Sequence, residues 1–268
     1  ISMFSPALRN RQRVLARQAA LAAQAEAGKA ARPRRNRPAA APAAEPFPLD
    51  PGKFSPEYAA LLAALHEDLR TLSDIQSHEL RQPKKAEMAR KFDPWIKGIL
   101  EADQPVQDEI LVTMMIWAVD CRDYDRALEL AGFVLRHGLT LPERYTRTPA
   151  CFLAEEIADA ALQQHEIVPH EILLQVRSLT SKADMPDPVK ARLHKAIGRG
   201  WFRKAQSFDP SAESAPAGGA LAYVATAIED LERALALWGD VGVKKDIQAA
   251  QALKKKLEAA AAEGAQPN

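Results

Sequence analysis

Cysteine is nearly absent from the chain: Cys121 and Cys151 stand alone in 268 residues. Two such residues, thirty apart, build neither a disulfide framework nor a metal-ligand spacing, so buried reduced thiols are expected. Aromatic residues are equally sparse, at 6%. No stretch alternates apolar and polar residues long enough to make a strand. No window approaches the roughly 18 uninterrupted apolar residues that a membrane helix requires. The opening ISMFSPALRNRQRVLARQ places charge where a secretion leader needs an apolar core, which points to the cytoplasm and to no membrane partner. Phosphate-loop chemistry is missing as well, because Gly28-Lys29-Ala30 lacks both the spacing and the hydroxyl of GxxxxGK[ST]. GxSxG, HExxH and paired CxxC are not found either, so no cofactor, metal or covalent catalytic centre is expected.

What the chain has instead is alanine and leucine at helical spacing, which predicts an all-α fold. Ser55-Pro56-Glu57 reads as an N-cap followed by proline in the first turn. Behind it Tyr58, Leu61, Leu62, Leu65, Leu69, Leu72 and Ile75 keep one helical face. Further helices are predicted over 84–101, 105–120, 123–137, 148–165, 169–181, 186–206, 217–238 and 241–262, with Gly138, Pro142, Pro149, Pro169, Pro186 and Pro188 at the breaks. Two stretches, Tyr124–Leu139 and Ala220–Leu257, resemble tetratricopeptide-like helical hairpins, since small Ala127, Ala131, Ala227 and Ala234 alternate with large residues. No regular 34-residue period runs through the chain.

Composition divides the sequence further. Residues 1–28 read as a basic N-terminal helix, and residues 29–54 as a linker rich in Pro, Ala and Arg. Residues 55–206 read as a central helical domain, 207–219 as a loop, and 220–268 as a C-terminal hairpin with a fraying end. Net charge is +1 overall, but Arg9, Arg11, Arg13, Arg17, Lys29, Arg32, Arg34, Arg35 and Arg37 face only Glu26 within the first forty residues. That gives the arm +8, and subtracting it from +1 leaves −7 for the rest. The eight arginines are the candidate DNA-binding residues. An Arg/Pro string such as 32–38 can lie in a narrow minor groove or along phosphates, although a solvated linker has the same composition. Lys244, Lys245, Lys254, Lys255 and Lys256 form a second basic zone, equally readable as a solvated helix face.

Carboxylate groups that could hold Mg²⁺ for a nuclease are Asp120, Asp123 and Asp125, or Glu155, Glu156 and Asp159. Helix capping is the preferred reading of the first group, and exposed charge on an amphipathic helix of the second. Asp108 and Glu109 open a helix, where acids suit the dipole. The six histidines are scattered and read as structural. Trp95, Trp117, Trp201 and Trp238 fall on apolar helix faces and read as core or subunit-interface anchors.

One block is more specific than helical pattern. Phe92-Asp93-Pro94-Trp95-Ile96-Lys97-Gly98-Ile99-Leu100, with Glu101 completing WxxGxLE, is followed by QDEILVTMMIWAVDCRDYDRALELAGFVLRHGLTLPERYTRTPACFLAEEIADAAL over 107–162. It resembles the small (M-type) terminase subunit of temperate, contractile-tailed phages that cut at cos sites. Further similarity lies at 183–198, at Gly242-Val243-Lys244-Lys245-Asp246-Ile247, and at Ser5-Pro6-Ala7 with Arg13-Val14. The sequence departs from the family in its insertion around 29–54 and in a short polar end without a basic Pro-rich tail. The resemblance implies a viral DNA packaging protein of the host cytoplasm. It also implies binding to double-stranded phage DNA at the cos region, homo-oligomerisation, commonly as a ring, and recruitment of the terminase large subunit, an ATPase and nuclease. Family members often carry an endonuclease-subunit label. The residues suggest no intrinsic catalysis, with cleavage in the large subunit. Two other readings are a helical scaffold that binds no DNA, and a metal-dependent endonuclease in its own right.

Overall fold

The computed structural model describes residues 55–164, 167–209 and 219–264. The elements are α1 (Pro56–Asp74), α2 (His78–Ala89), a 3₁₀ turn (Arg90–Phe92), α3 (Asp93–Ala102), α4 (Glu109–Asp120), α5 (Tyr124–Arg136), α6 (Pro149–Gln163), α7 (His170–Thr180), α8 (Asp187–Gln206), α9 (Gly219–Leu237) and α10 (Lys244–Gly264). Helix is the sole regular structure among the described residues, as the composition and capping pattern predict.

The helix starts follow the sequence. Ser55 Oγ accepts the Tyr58 N–H at 3.1 Å with Pro56 in the first turn. Thr148 does the same for the Cys151 N–H at 3.2 Å, ahead of Pro149. Asp123 caps α5 through the Arg126 N–H. Each cap satisfies a donor that the first turn would otherwise leave orphaned.

One predicted helix is different. In place of a single helix over 84–101, α2 begins at His78, carries Pro83 inside it, and yields to the 3₁₀ turn before α3 restarts at Asp93-Pro94. Proline in the second turn removes one backbone bond, and tertiary contacts outweigh that loss. Ser77 caps the first turn, and Gln82 Nε2 donates to the Asp120 carbonyl at 2.7 Å, tying α2 to the end of α4. The 3₁₀ turn then drives Phe92 fully into the core. Residues 124–136 also form one helix, α5, whose packing partner is the preceding α4.

α4 is the centre of the body. Every residue from Ile110 to Val119 is buried, so this helix is apolar on all sides and is wrapped by the others. Leu65 and Leu72 of α1, Phe92, Ile96 of α3, Leu130 and Phe133 of α5, Leu153 and Ile157 of α6, and Leu173 of α7 pack into the same core. α8 contributes Leu193 and Ile197 to it and turns Ala191 and Ala205 toward α9 and α10. Two glycines let α8 serve both sides. A Cβ at Gly198 would lie 2.8 Å from Leu231 Cγ on α9, and one at Gly200 would lie 2.1 Å from His170 Nδ1 on α7. The buried carboxylate of Asp230 joins all three helices, accepting from Arg177 at 3.1 Å and meeting His194 Nδ1 at 2.8 Å.

Candidate nucleic-acid interface

One row of cations on the body runs along α8 and meets the start of α10. Lys195, Arg199 and Arg203 follow one another at four-residue spacing, so they share a broad face of α8, one turn apart. Arg199 Nε and Nη2 both reach Asp246 Oδ2 in the first turn of α10, at 2.9 and 2.8 Å. Lys195 Nζ donates to the Val241 carbonyl at 2.7 Å, beside Gly242, whose left-handed φ of +74° turns the chain into α10. Lys244 and Lys245 are exposed on that same first turn. Burial, and then the neighbouring Arg199, lower the pKa of both Lys195 and Arg203. Arg199 thus lies close enough to Lys195 and Arg203 to disfavour their charge, and is itself paired with Asp246.

One large cleft carries more acid than base. A space of about 900 Å³ between α2, α3, α4 and α5 has Met114 and Trp117 in its wall. Its rim carries Arg90, Lys97 and Arg126 against Asp93, Glu101, Asp123 and Glu129. Arg126 already pairs with Asp93 and Glu129, and Lys97 with Glu101, so no excess charge is left to attract a polyanion.

The candidate carboxylates do structural work. Asp120 pairs with Lys85, and Asp123 caps α5. Glu155 and Glu156 grip Arg147 at 2.7 and 2.8 Å, while Arg192 reaches Glu155 and Asp159. Asp108 caps α4 through the Leu111 N–H at 2.8 Å and also accepts Trp95 Nε1 at 2.8 Å. Burial raises its pKa even so. Among the described residues no three His, Cys, Asp or Glu side chains gather as a metal site. The thiols of Cys121 and Cys151 are both pushed up by burial, which keeps them protonated and unreactive.

The four tryptophans are distributed differently. Trp117 lies within the core, and Trp95 tilts against Tyr58 with ring centroids 5.3 Å apart. Trp201 sits between His170 (4.4 Å) and Tyr223 (5.5 Å), and Trp238 lies under Arg192. The arm residues Arg9, Arg11, Arg13, Arg17, Arg32, Arg34, Arg35 and Arg37 lie outside the described residues. The α8 row was missed in the sequence, although VKARLHKAIGRGWFRKAQ shows its four-residue cationic spacing. What was hidden is that this face looks toward α10 and not into solvent alone.

An all-helical body behind a basic N-terminal stretch defines a structural class more than one protein. Comparison with known proteins narrows it. Residues 62–188 match the phage small terminase subunit family. The chain is 39% identical over 201 residues to the "terminase, endonuclease subunit" of Escherichia phage P2, covering 74% of each. It is 26% identical over 102 residues to the "probable terminase, endonuclease subunit" of Haemophilus phage HP1 (strain HP1c1), covering 38% of this chain and 36% of that one. No solved structure matches it. The chain belongs to the phage small terminase subunit family, and its role lies in phage DNA packaging. Among the described residues no helix is long and apolar enough to cross a membrane.

Proposed function

We propose that this protein binds double-stranded viral DNA at the cos region in the host cytoplasm. On that DNA it assembles as a homo-oligomer, in a ring, and recruits the terminase large subunit to cut and package the genome. The observation that carries this reading is the 39% identity running through 74% of both this chain and the P2 protein. The arm's +8 supports the DNA contact, because each phosphate neutralised by Lys or Arg releases condensed counterions. Cleavage belongs to the large subunit, a reading supported by the candidate carboxylates Asp120, Asp123, Glu155, Glu156 and Asp159, which are engaged in a cap or in pairs with Lys85, Arg147 and Arg192.

Binding of labelled cos-containing and random duplexes, measured across a salt series, tests this. The cos duplex is expected to bind more tightly at physiological salt. Deleting residues 1–40 should weaken binding on the order of 10²-fold and flatten the salt slope. Equal affinity for both duplexes sinks cos recognition, and unchanged affinity after the deletion favours a scaffold without an arm contact. The names of the relatives favour a second reading, an endonuclease. Mg²⁺-dependent nicking by the purified chain alone, abolished by Asp120→Asn or Glu155→Gln, would establish it against the proposal.

A further inference from the structure

We infer that the α9–α10 hairpin is a lid that lifts off α8 as one unit while the rest of the body stays folded, and that the buried carboxylate of Asp230 is its clasp. The inference is independent of the DNA-binding role proposed above. Among the described residues no side chain of α9 or α10 joins the main apolar core, which runs from Tyr58 to Trp201. The hairpin has two smaller apolar clusters, and most of each is its own. One is built by Leu231, Ala234, Val241, Val243 and Ile247, the other around Val224 and Ala250. To these α8 adds a single buried alanine apiece, Ala191 and Ala205, with Phe202 half-buried beside the second. Parting the hairpin from α8 therefore leaves both clusters largely intact. An alanine buries only a methyl group, so little apolar surface returns to water at these two points.

Larger apolar contacts across the seam are few: Leu231 seats over Gly198, and Tyr223 stacks on Trp201 with ring centroids 5.5 Å apart. Polar pairs make up much of the rest. Asp230 accepts from Arg177 of α7 at 3.1 Å and meets His194 of α8 at 2.8 Å. Asp246 holds Arg199 at 2.8 Å, and the Val241 carbonyl accepts Lys195 Nζ at 2.7 Å. Each of these groups regains water when the seam parts, so each opposes opening by far less than its closed-state strength. Asp230 differs from the others in being 6% exposed. A carboxylate that deep is tolerated only with its partners in place, so it fixes where the hairpin seats. Opening bares Ala191, Gly198 and Ala205 on α8 and returns Lys195 and Arg199 to solvent. A segment with its own small core and a mostly polar seam is the kind of unit that opens below the free energy of global unfolding.

Hydrogen exchange of the full chain, followed amide by amide across a urea series, tests the lid. Amides of α9 and α10 are expected to share one opening equilibrium, on the order of 10²-fold more populated than the opening that exposes α4, and with a weaker urea dependence. Asp230→Asn should speed exchange of the hairpin amides about tenfold. Ile110→Val, in the main core, separates the lid from global unfolding. It should speed exchange in α4 about two- to tenfold and leave the hairpin at wild-type rates, because the core stays intact when the lid opens. Should Asp230→Asn fail to fold, Arg177→Gln makes the same test, since the Arg177 side chain is 41% exposed and its loss opens no void. Hairpin amides that speed up in step with α4 in Ile110→Val overturn the inference, because the hairpin then opens only with the whole molecule. Separate openings of α9 and α10 overturn it too, as does a wild-type hairpin rate in the folded clasp variant.

Discussion

Gly200→Ala should destabilise the protein, against the usual preference of helices for alanine. In a helix interior, Gly→Ala gains roughly 0.8–1.0 kcal/mol. At Gly132 and Gly98 nothing lies within 4 Å of the added Cβ, so the full gain is expected there. At Gly200 the methyl would sit 2.1 Å from His170 Nδ1 and 2.7 Å from Cε1, against a ring that is 9% exposed and wedged on Trp201. Overpacking of this kind costs about 1–3 kcal/mol, which set against that gain leaves a net loss of up to about 2 kcal/mol. With a domain of this size, 1 kcal/mol corresponds to roughly 2–4 °C in melting temperature. Calorimetry should thus show Gly132→Ala rising by a few degrees and Gly200→Ala falling by a similar amount. His170→Ala in the Gly200→Ala background should recover part of the loss, giving a coupling of about 1 kcal/mol in a double-mutant cycle. If Gly200→Ala melts as high as Gly132→Ala, α7 and α8 do not approach each other as described.

Two further outcomes follow from buried polar groups. Burial lowers the pKa of His170 to about 4 from 6.5. Above pH 6.5 the ring is neutral folded and unfolded and contributes nothing. As pH falls from 6.5 to about 4, only the unfolded chain takes up the proton, so stability drops by about 1.4 kcal/mol per pH unit, about 3 kcal/mol in all. Urea melts at stepped pH should show this slope, and His170→Leu should flatten it. Asp108→Ala removes the α4 cap and leaves Trp95 Nε1 without its acceptor, for a loss of about 2–3 kcal/mol by chemical denaturation; Asp108→Asn should restore part of it.

Where a helix boundary was legible, a side chain at that boundary carried it. Ser55-Pro56, Asp123 and Thr148-Pro149 each place a hydroxyl or carboxylate within reach of the third amide beyond, and that is local chemistry. The start of α2 has a local signal in the Ser77 cap, but Pro83 argues against it, and what holds Pro83 inside a helix is a bond from Gln82 to Asp120, thirty-eight residues away. The role of Asp108 was half visible. Its position at a helix start was plain, but its second partner, Trp95, comes from α3. Likewise, nothing in Ile228-Glu229-Asp230-Leu231-Glu232-Arg233 marks Asp230 as buried, yet it lies between Arg177 and His194 from two other helices. Long-range partners leave no local trace, so these sites required the fold.

The same distinction bears on how charge is arranged over this protein. Charge counted along the sequence assigns all positive excess to the arm and leaves −7 elsewhere. A uniformly negative body would push a duplex away within a Debye length of about 8–10 Å, and the arm would then act as a tether. The fold redistributes that charge. Glu155, Glu156 and Asp159 are paired in place with Arg147 and Arg192, and Asp103 with Arg136, whereas Arg203, Lys244 and Lys245 make no ion pair among the described residues. Arg147 and Arg192 are thus spent on the body's own carboxylates, whereas three cations of α8 and α10 are not, and that difference is set by the fold and not by the count of charges along the chain.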